Sequence, residues 1–254
     1  GTRRAVGKTG RTLTAVGAEP LAITDNMNFA SPERPEVMGQ FVGAVEGMKE
    51  ACEALAYPVV SGNCSLYNET NGQGIPPTPA IGGGGLLPDI PRTADIPLKR
   101  DGDLIVLVGR EQGHLGQSLY QLLETGRSEG APPPVDLADE LKAGNLVRAL
   151  IGERKGSAVH DLSDGGLLVG LAEMALAGGK GVELFPYEGR LPAHSIWFGE
   201  DQGRYLLACQ PSVAEEIGSR ARARCRSPSS ARCTRPGCRD SWKGSWGSLF
   251  LYCS

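Results

Sequence analysis

Short apolar runs alternate along this chain with longer stretches in which apolar residues recur every three or four positions. Leu21-Ala22-Ile23 reads as a short buried strand that ends in the polar Thr24-Asp25-Asn26. Val37, Phe41, Val45, Met48, Cys52 and Leu55 then follow at helical spacing and predict one apolar face. Ser31-Pro32-Glu33 supplies an opening for that helix: a capping hydroxyl, a proline for the first turn, and an acid near the positive end of the dipole. Val59-Val60 begins the next strand, which ends in Ser61-Gly62-Asn63, and Gly82 to Gly85 punctuate another. Gly72 and Pro76 to Pro79 mark loops. The basic, glycine-rich stretch from Gly1 to Arg11 shows no clear periodicity and reads as a plain chain start.

Pro88 to Asp101 is polar and proline-bearing, and a new buried strand restarts at Leu104 to Val108, which places a domain boundary near residue 95. Helices over 115–125, 136–151 and 166–177 follow, with strands over 157–160 and 181–185 between and after them. A strand near Tyr205 to Cys209 and a helix from Ser212 finish the pattern. Such alternation predicts an α/β layer structure. Near Arg220 the helical period begun by Val213 and Ile217 gives way to Arg, Cys, Ser and Pro. The chain therefore divides into residues 1–95, 96–220 and an anomalous tail over 221–254. The tail reads as non-native or disordered, with a basic arm or an odd metal site as the alternatives, and has no strand period until Leu249-Phe250-Leu251.

Composition sharpens this picture. With 40% hydrophobic and 22% charged residues, the 254-residue chain can bury a core. Its 36 glycines cluster between apolar runs, as tight loops require. The net charge of −3 hides an uneven spread: residues 1–219 hold 18 basic against 28 acidic residues, a net of −10. An acidic body gives no electrostatic reason to expect nucleic acid or an anionic membrane as partner. No apolar run approaches the ~18 residues of a spanning helix, and no signal peptide opens the sequence. A cytoplasmic protein is expected. Four of the seven cysteines lie in the tail and none forms a CxxC pair, so neither a zinc site nor a disulfide framework is indicated.

Three segments have the residue types of a site. Thr24-Asp25-Asn26-Met27-Asn28-Phe29 is polar at an expected strand end, where α/β proteins place ligands. A turn in which Asp25 satisfies local amides reads equally well. In Ser61-Gly62-Asn63-Cys64-Ser65-Leu66-Tyr67-Asn68-Glu69, glycine permits close approach to a phosphate, Asn63 offers an oxygen to magnesium, and Ser65 offers a hydroxyl. A glycine-bearing turn is the alternative. His160-Asp161-Leu162-Ser163-Asp164-Gly165-Gly166 joins a strand to a helix that Ser163 or Asp164 can cap, and whose free amides can receive an anion. His160 reads as an ordinary hydrogen-bonding residue or as a base. Gly7-Lys8-Thr9 is off the phosphate-loop spacing, and Gly113-His114-Leu115-Gly116 is off the dinucleotide spacing. No GxSxG elbow is present, and Cys52 lies on the apolar helix face.

Taken in order, these segments resemble one family. Ala22 to Phe29, Pro32-Glu33-Arg34-Pro35-Glu36 and Pro58 to Thr70 look like the third quarter of the phosphoribosylformylglycinamidine synthase large subunit. Gly113 to Ser118, His160 to Gly166 and Phe198-Gly199-Glu200-Asp201-Gln202-Gly203-Arg204-Tyr205 look like its last quarter. The resemblance runs from about residue 12 to about 220. It implies an α/β (α+β) fold: a truncated second A domain followed by a B domain of the aminoimidazole ribonucleotide synthetase-like type. It also implies an ATP-dependent carbon–nitrogen ligase of purine biosynthesis. ATP activates the formyl amide oxygen of formylglycinamide ribonucleotide, and ammonia displaces it to give the amidine, ADP and phosphate. The implied partners are a glutaminase subunit and a small bridging subunit. By the same resemblance Asp25 and Gly62 match ATP-contacting positions, Asn63 a magnesium position and Ser65 a substrate position. Asp25 and Asn63 are then expected on neighbouring strand ends, facing one opening and sharing a magnesium ion. The family's catalytic histidine lies in the half that this sequence does not match, and none of the three histidines corresponds to it. A non-catalytic nucleotide-binding scaffold and an unstable truncated product are the alternatives from other classes.

Overall fold

The computed structural model of the chain describes residues 1–184, 191–224 and 250–253. Its first sheet has the order β2-β1-β5, from β1 (Glu19–Asn28), β2 (Val59–Ser65) and β5 (Thr78–Leu86). β1 runs parallel to β2 and antiparallel to β5. Helices α1 (Thr2–Ala15) and α2 (Pro35–Leu55) contribute to the apolar core of this part, where Val6, Val37, Met48 and Ala51 meet Ile23, Met27 and Phe29 of the β1 segment. A small hairpin, β3 (Glu69–Thr70) with β4 (Gln73–Gly74), precedes β5.

The second sheet has the order β7-β9-β6-β10-β8. Its strands are β6 (Leu104–Val108), β7 (Ala158–Asp161), β8 (Val182–Glu183), β9 (Tyr205–Cys209) and β10 (Phe250–Cys253). Around it lie α3 (Leu119–Thr125), α4 (Leu137–Gly152), α5 (Gly166–Gly178), α6 (Ala193–Phe198) and α7 (Pro211–Arg224). Val106, Val108, Leu207 and Cys209 face Val147, Leu150, Ala214 and Ile217, on α4 and α7. Ile105, Leu107, Leu206 and Ala208 face Leu167, Leu171, Met174 and Ile196, on α5 and α6. Covering on both faces explains why β6 and β9 read as continuous apolar runs rather than alternating ones.

Several sequence expectations need correction. Residues 2–15 form a helix, because their buried face is Thr2, Val6, Gly7, Arg11, Thr14 and Ala15, helically spaced but mostly polar or glycine. Helix α2 opens at Pro35, with Arg34 at the cap position and no side-chain cap; Ser31 instead closes a turn by accepting from the Arg34 amide. Val45, expected on the apolar face, is 39% exposed. Pro79, read as loop, lies within β5, an edge strand that tolerates a missing donor. α3 begins at Leu119, not near 115, capped by the Ser118 hydroxyl. α7 extends past Arg220 to Arg224. Most of the expected disordered tail lies outside the described residues, and so does part of the strand expected over 181–185. Within the tail, β10 pairs with both β6 and β8.

Candidate functional site

The strands fix where Asp25, Gly62, Asn63 and Ser65 lie. β1 continues through the polar stretch that the sequence reads as a strand end, so Thr24 to Asn28 are strand residues. Ser61 to Ser65 likewise belong to β2. The parallel register pairs Asp25 with Gly62, Asn26 with Asn63, and Asn28 with Ser65. Side chains alternate between faces along a strand. Asp25 and Gly62 therefore share the face of Ile23 and Met27, toward the helices. Asn26, Asn28, Asn63 and Ser65 share the outer face. The expected single opening for Asp25 and Asn63 is thus overturned, because Asn63 pairs with Asn26, one residue past Asp25, which places the two side chains on opposite faces.

On the helix side the Asp25 carboxylate lies over Gly62. A Cβ added at Gly62 would stand 2.6 Å from Asp25 Oδ2 and 3.1 Å from its Oδ1. Glycine there leaves room for the Asp25 carboxylate; the backbone angle does not demand it. Among the described residues the Asp25 carboxylate has no hydrogen bond or ion pair.

On the outer face the Asn63 amide nitrogen donates to Asn26 Oδ1 at 3.2 Å, which leaves the Asn63 carbonyl oxygen free. Asn28 Nδ2 donates to the Asn26 and Thr78 carbonyls at 3.2 and 3.1 Å. Asn68 Nδ2 donates to the Phe29 and Ser65 carbonyls at 3.0 and 2.8 Å and holds the Ser65 hydroxyl at 3.1 Å. Residues 59–64 of β2 are exposed on both faces, and β2 is an edge strand of its sheet. No group of three or more His, Cys, Asp or Glu side chains that could hold a metal occurs among the described residues. Asn63 fits magnesium as a single protein oxygen in a shell completed by nucleotide oxygens and water.

The third segment is bound internally. The Gly165 amide donates to Glu200 Oε1 at 2.9 Å, and the Leu119 amide donates to the same oxygen at 2.8 Å. The Gly166 amide donates to the Ser163 carbonyl at 3.1 Å. Helix α5 is capped at Gly165 with no side-chain acceptor, so neither Ser163 nor Asp164 performs that role. In the Gly113-His114 loop, the amides of Gln112, Gly113 and His114 donate to the Asp201 carboxylate, each at 2.9 Å. Backbone amides poised for an anion are thus occupied by the chain's own Glu200 and Asp201.

Sequence reasoning missed a polar seam between α1 and the second sheet. Gly7-Lys8-Thr9 sits within α1, and Lys8 Nζ pairs with Asp161 Oδ2 at 2.7 Å. Thr12 donates to the same oxygen at 2.9 Å. Arg11, 2% exposed, pairs with buried Glu140 and donates to Gln202 Oε1 at 2.8 Å. Burial pushes the Glu140 carboxyl up, against the pull of Arg11. Burial also acts upward on Asp161, but His160, Lys8 and Thr12 outweigh it and hold this carboxyl well below the usual range. His160 is bonded to Glu173 at 2.6 Å; burial acts to lower its pKa, and the Asp161 and Glu173 carboxylates outweigh it and raise it. The clue in the sequence is the four-residue spacing of Lys8 and Thr12, which puts them on one helical face.

The other two histidines are also occupied away from the first sheet. His114 Nε2 bonds the Ala131 carbonyl at 2.8 Å, and His194 stacks on Tyr120 at 5.9 Å. No helix among the described residues is long and apolar enough to cross a membrane.

Comparison with known proteins agrees with this architecture. Residues 1–87 match the N-terminal domain of AIR synthase related protein, and residues 100–226 match its C-terminal domain. The phosphoribosylformylglycinamidine synthase subunit PurL of Bradyrhizobium sp. (strain ORS 278) is 54% identical over 237 residues, 93% of this chain and 32% of that protein. The chain spans about a third of the length of the curated relatives it matches. Among solved structures, T. maritima PurL complexed with FGAR superimposes with a TM-score of 0.70 at 18% identity, covering 99% of this chain and 38% of that one. T. maritima PurL complexed with ATP gives 0.65 at 21% identity, covering 87% and 35%. With both family domains matched in order along one sequence, the chain belongs to the AIR synthase related protein family.

Proposed function

We propose that this chain supplies a nucleotide- and substrate-binding part of a phosphoribosylformylglycinamidine synthase, an ATP-dependent ligase that amidates formylglycinamide ribonucleotide in the cytoplasm. The single observation that carries the reading is the edge strand β2, where Gly62 and Asn63 are exposed on opposite faces. A nucleotide lying along that edge would meet Gly62, above Asp25, from the helix side. It would meet the Asn63 oxygen and its magnesium from the outer side. Ser65, two residues on, would hold the formylglycinamide ribonucleotide. Magnesium supplies charge neutralisation for the phosphates when bound. The chain's own residues orient: Asn26 fixes the Asn63 amide, and Asn68 fixes the Ser65 hydroxyl. A reaction of this class depends on positioning and electrostatics more than on a covalent nucleophile. Ammonia would come from a separate glutaminase subunit, joined through a small bridging subunit. The boundary near residue 95 then separates an A-type unit from a B-type unit.

Calorimetric titration of the chain with ATP, with and without magnesium chloride, tests this reading. Magnesium-dependent binding is expected, and its absence would remove the nucleotide role. In a complete enzyme carrying the same motif, Asn63→Leu should weaken binding by about ten- to a hundredfold, the ~1.5–3 kcal/mol of a charge-assisted contact. Unchanged affinity and turnover there would take Asn63 out of the site. A second reading, nucleotide binding without turnover, is favoured by the histidines, all three of which are engaged away from β2. ATP binding without amidine formation when formylglycinamide ribonucleotide and ammonia are supplied would select it.

A further inference from the structure

A cavity lies at the opposite end of β1 from Asn26 and Asn28. It has a volume of about 240 Å³ and opens beside Glu19 and Pro20, between α1, α4 and the end of α2. Gly7, Gly10 and Gly144 line it. Glycine inside a helix costs about 1 kcal/mol relative to alanine, so packing should justify it. At Gly7 it does, since a Cβ would stand 3.3 Å from Glu140 Oε1. At Gly10 a Cβ would meet nothing nearer than 4.0 Å, and at Gly144 nothing nearer than 3.4 Å. These two positions leave space that alanine would occupy without a clash.

Two arginines, Arg11 and Arg148, belong to the lining. Arg11 is 2% exposed, and its Nε is buried with no hydrogen-bond partner. Its other nitrogens are committed to Glu140 and Gln202. Arg148 has no carboxylate partner among the described residues. Two neutral groups steady it: Thr14 Oγ1, which accepts from Nη1 at 2.8 Å, and Asn145 Oδ1, which accepts from Nη2 at 2.5 Å. Arg148 Nη1 and the Tyr205 hydroxyl stand 3.4 and 3.5 Å from where a Gly144 Cβ would be. The acidic groups of the lining are Glu140, neutralised by Arg11, and Glu19, exposed at the rim. Arg148, held only by neutral acceptors, favours an anionic occupant that accepts hydrogen bonds.

We propose that this cavity binds a small oxyanion, a phosphate or the carboxylate of a small metabolite, against the guanidinium of Arg148. The guanidinium of Arg148 offers the planar fork that matches such oxygens. The volume lies below the ~300–1,000 Å³ of sites for drug-sized ligands, so the ligand is small. Glu19 at the mouth disfavours polyanions such as nucleoside triphosphates. The site is independent of the nucleotide reading at β2.

Inorganic phosphate is the probe, with sodium chloride at equal ionic strength as reference. Phosphate should raise the melting temperature of the full chain above the chloride reference, and calorimetry should show a single site. Arg148→Gln should weaken phosphate binding at least tenfold. Gly10→Leu, which fills the cavity with a good helix former, should raise the melting temperature without phosphate and abolish the phosphate response. It decides the matter if Arg148→Gln does not fold. No phosphate effect on the parent chain would overturn the proposal. So would an undiminished effect in either variant, which would place the binding elsewhere.

Discussion

Gly62 shows how much one absent side chain decides. A methyl group there would stand 2.6 Å from the Asp25 carboxylate, so Gly62→Ala must push Asp25 aside. The displaced atoms end an unbonded side chain beside an exposed strand, so the cost should stay near the ~1 kcal/mol low end of overpacking. Urea denaturation should show that loss, and the added change Asp25→Ala should recover most of it. The pairing was only half legible in the sequence. The period of two runs through Ile23, Asp25 and Met27, but an inward carboxylate looks like the start of a loop, so the sequence reads as a strand that stops early, with its two faces merged. His160 carries a second expectation. Its folded pKa is raised, so the stability it contributes is full below its unfolded value, ~6.5, and is lost as pH rises through the folded value. Asp161 has a lowered folded pKa, so its contribution is present above its unfolded value, ~3.9, and is lost as pH falls further. Stability should therefore decline on going from pH 6 to pH 9 in the parent chain, and His160→Gln should flatten that decline in thermal melts.

Among the elements, α1 is the one least visible beforehand and most connected. It lacks a side-chain cap, carries two internal glycines and buries an arginine, so neither propensity nor an apolar stripe announces it. Its helix is fixed by tertiary partners, which periodicity searches for apolar residues cannot see. By contrast α2, β6 and β9 were legible because their burial is apolar and their spacing regular. The Arg11–Glu140 pair separates two kinds of contribution. Glu140→Ala strands a buried guanidinium and should cost about 3–5 kcal/mol. Replacing both members, Arg11→Met with Glu140→Leu, should cost far less, since no unpaired charge remains. A double-mutant cycle by chemical denaturation would show the difference, and equal losses for both would refute the ionic account.

At the scale of the molecule, two sheets with separate apolar cores meet along a polar seam. Joined by Lys8, Arg11, Thr12 and Thr14, they should melt in one transition whether followed by far-UV signal or by tryptophan fluorescence. Glu140→Ala should part the two curves. The family was readable from ordered motifs, whereas the seam was not, because its members are scattered. That scatter has a kinetic consequence. The bonds from α1 reach across 129, 134, 149, 153 and 191 residues of chain. Contacts of such separation form only after large loops have closed, and topologies built on them fold slowly. Until Glu140, Asp161 and Gln202 are in place, α1 is a weak helix offering an unpaired lysine and arginine to whatever carboxylate arrives first. Refolding yield is therefore set by how long that wait lasts, and it should fall with rising protein concentration well before the folded chain itself shows any tendency to aggregate.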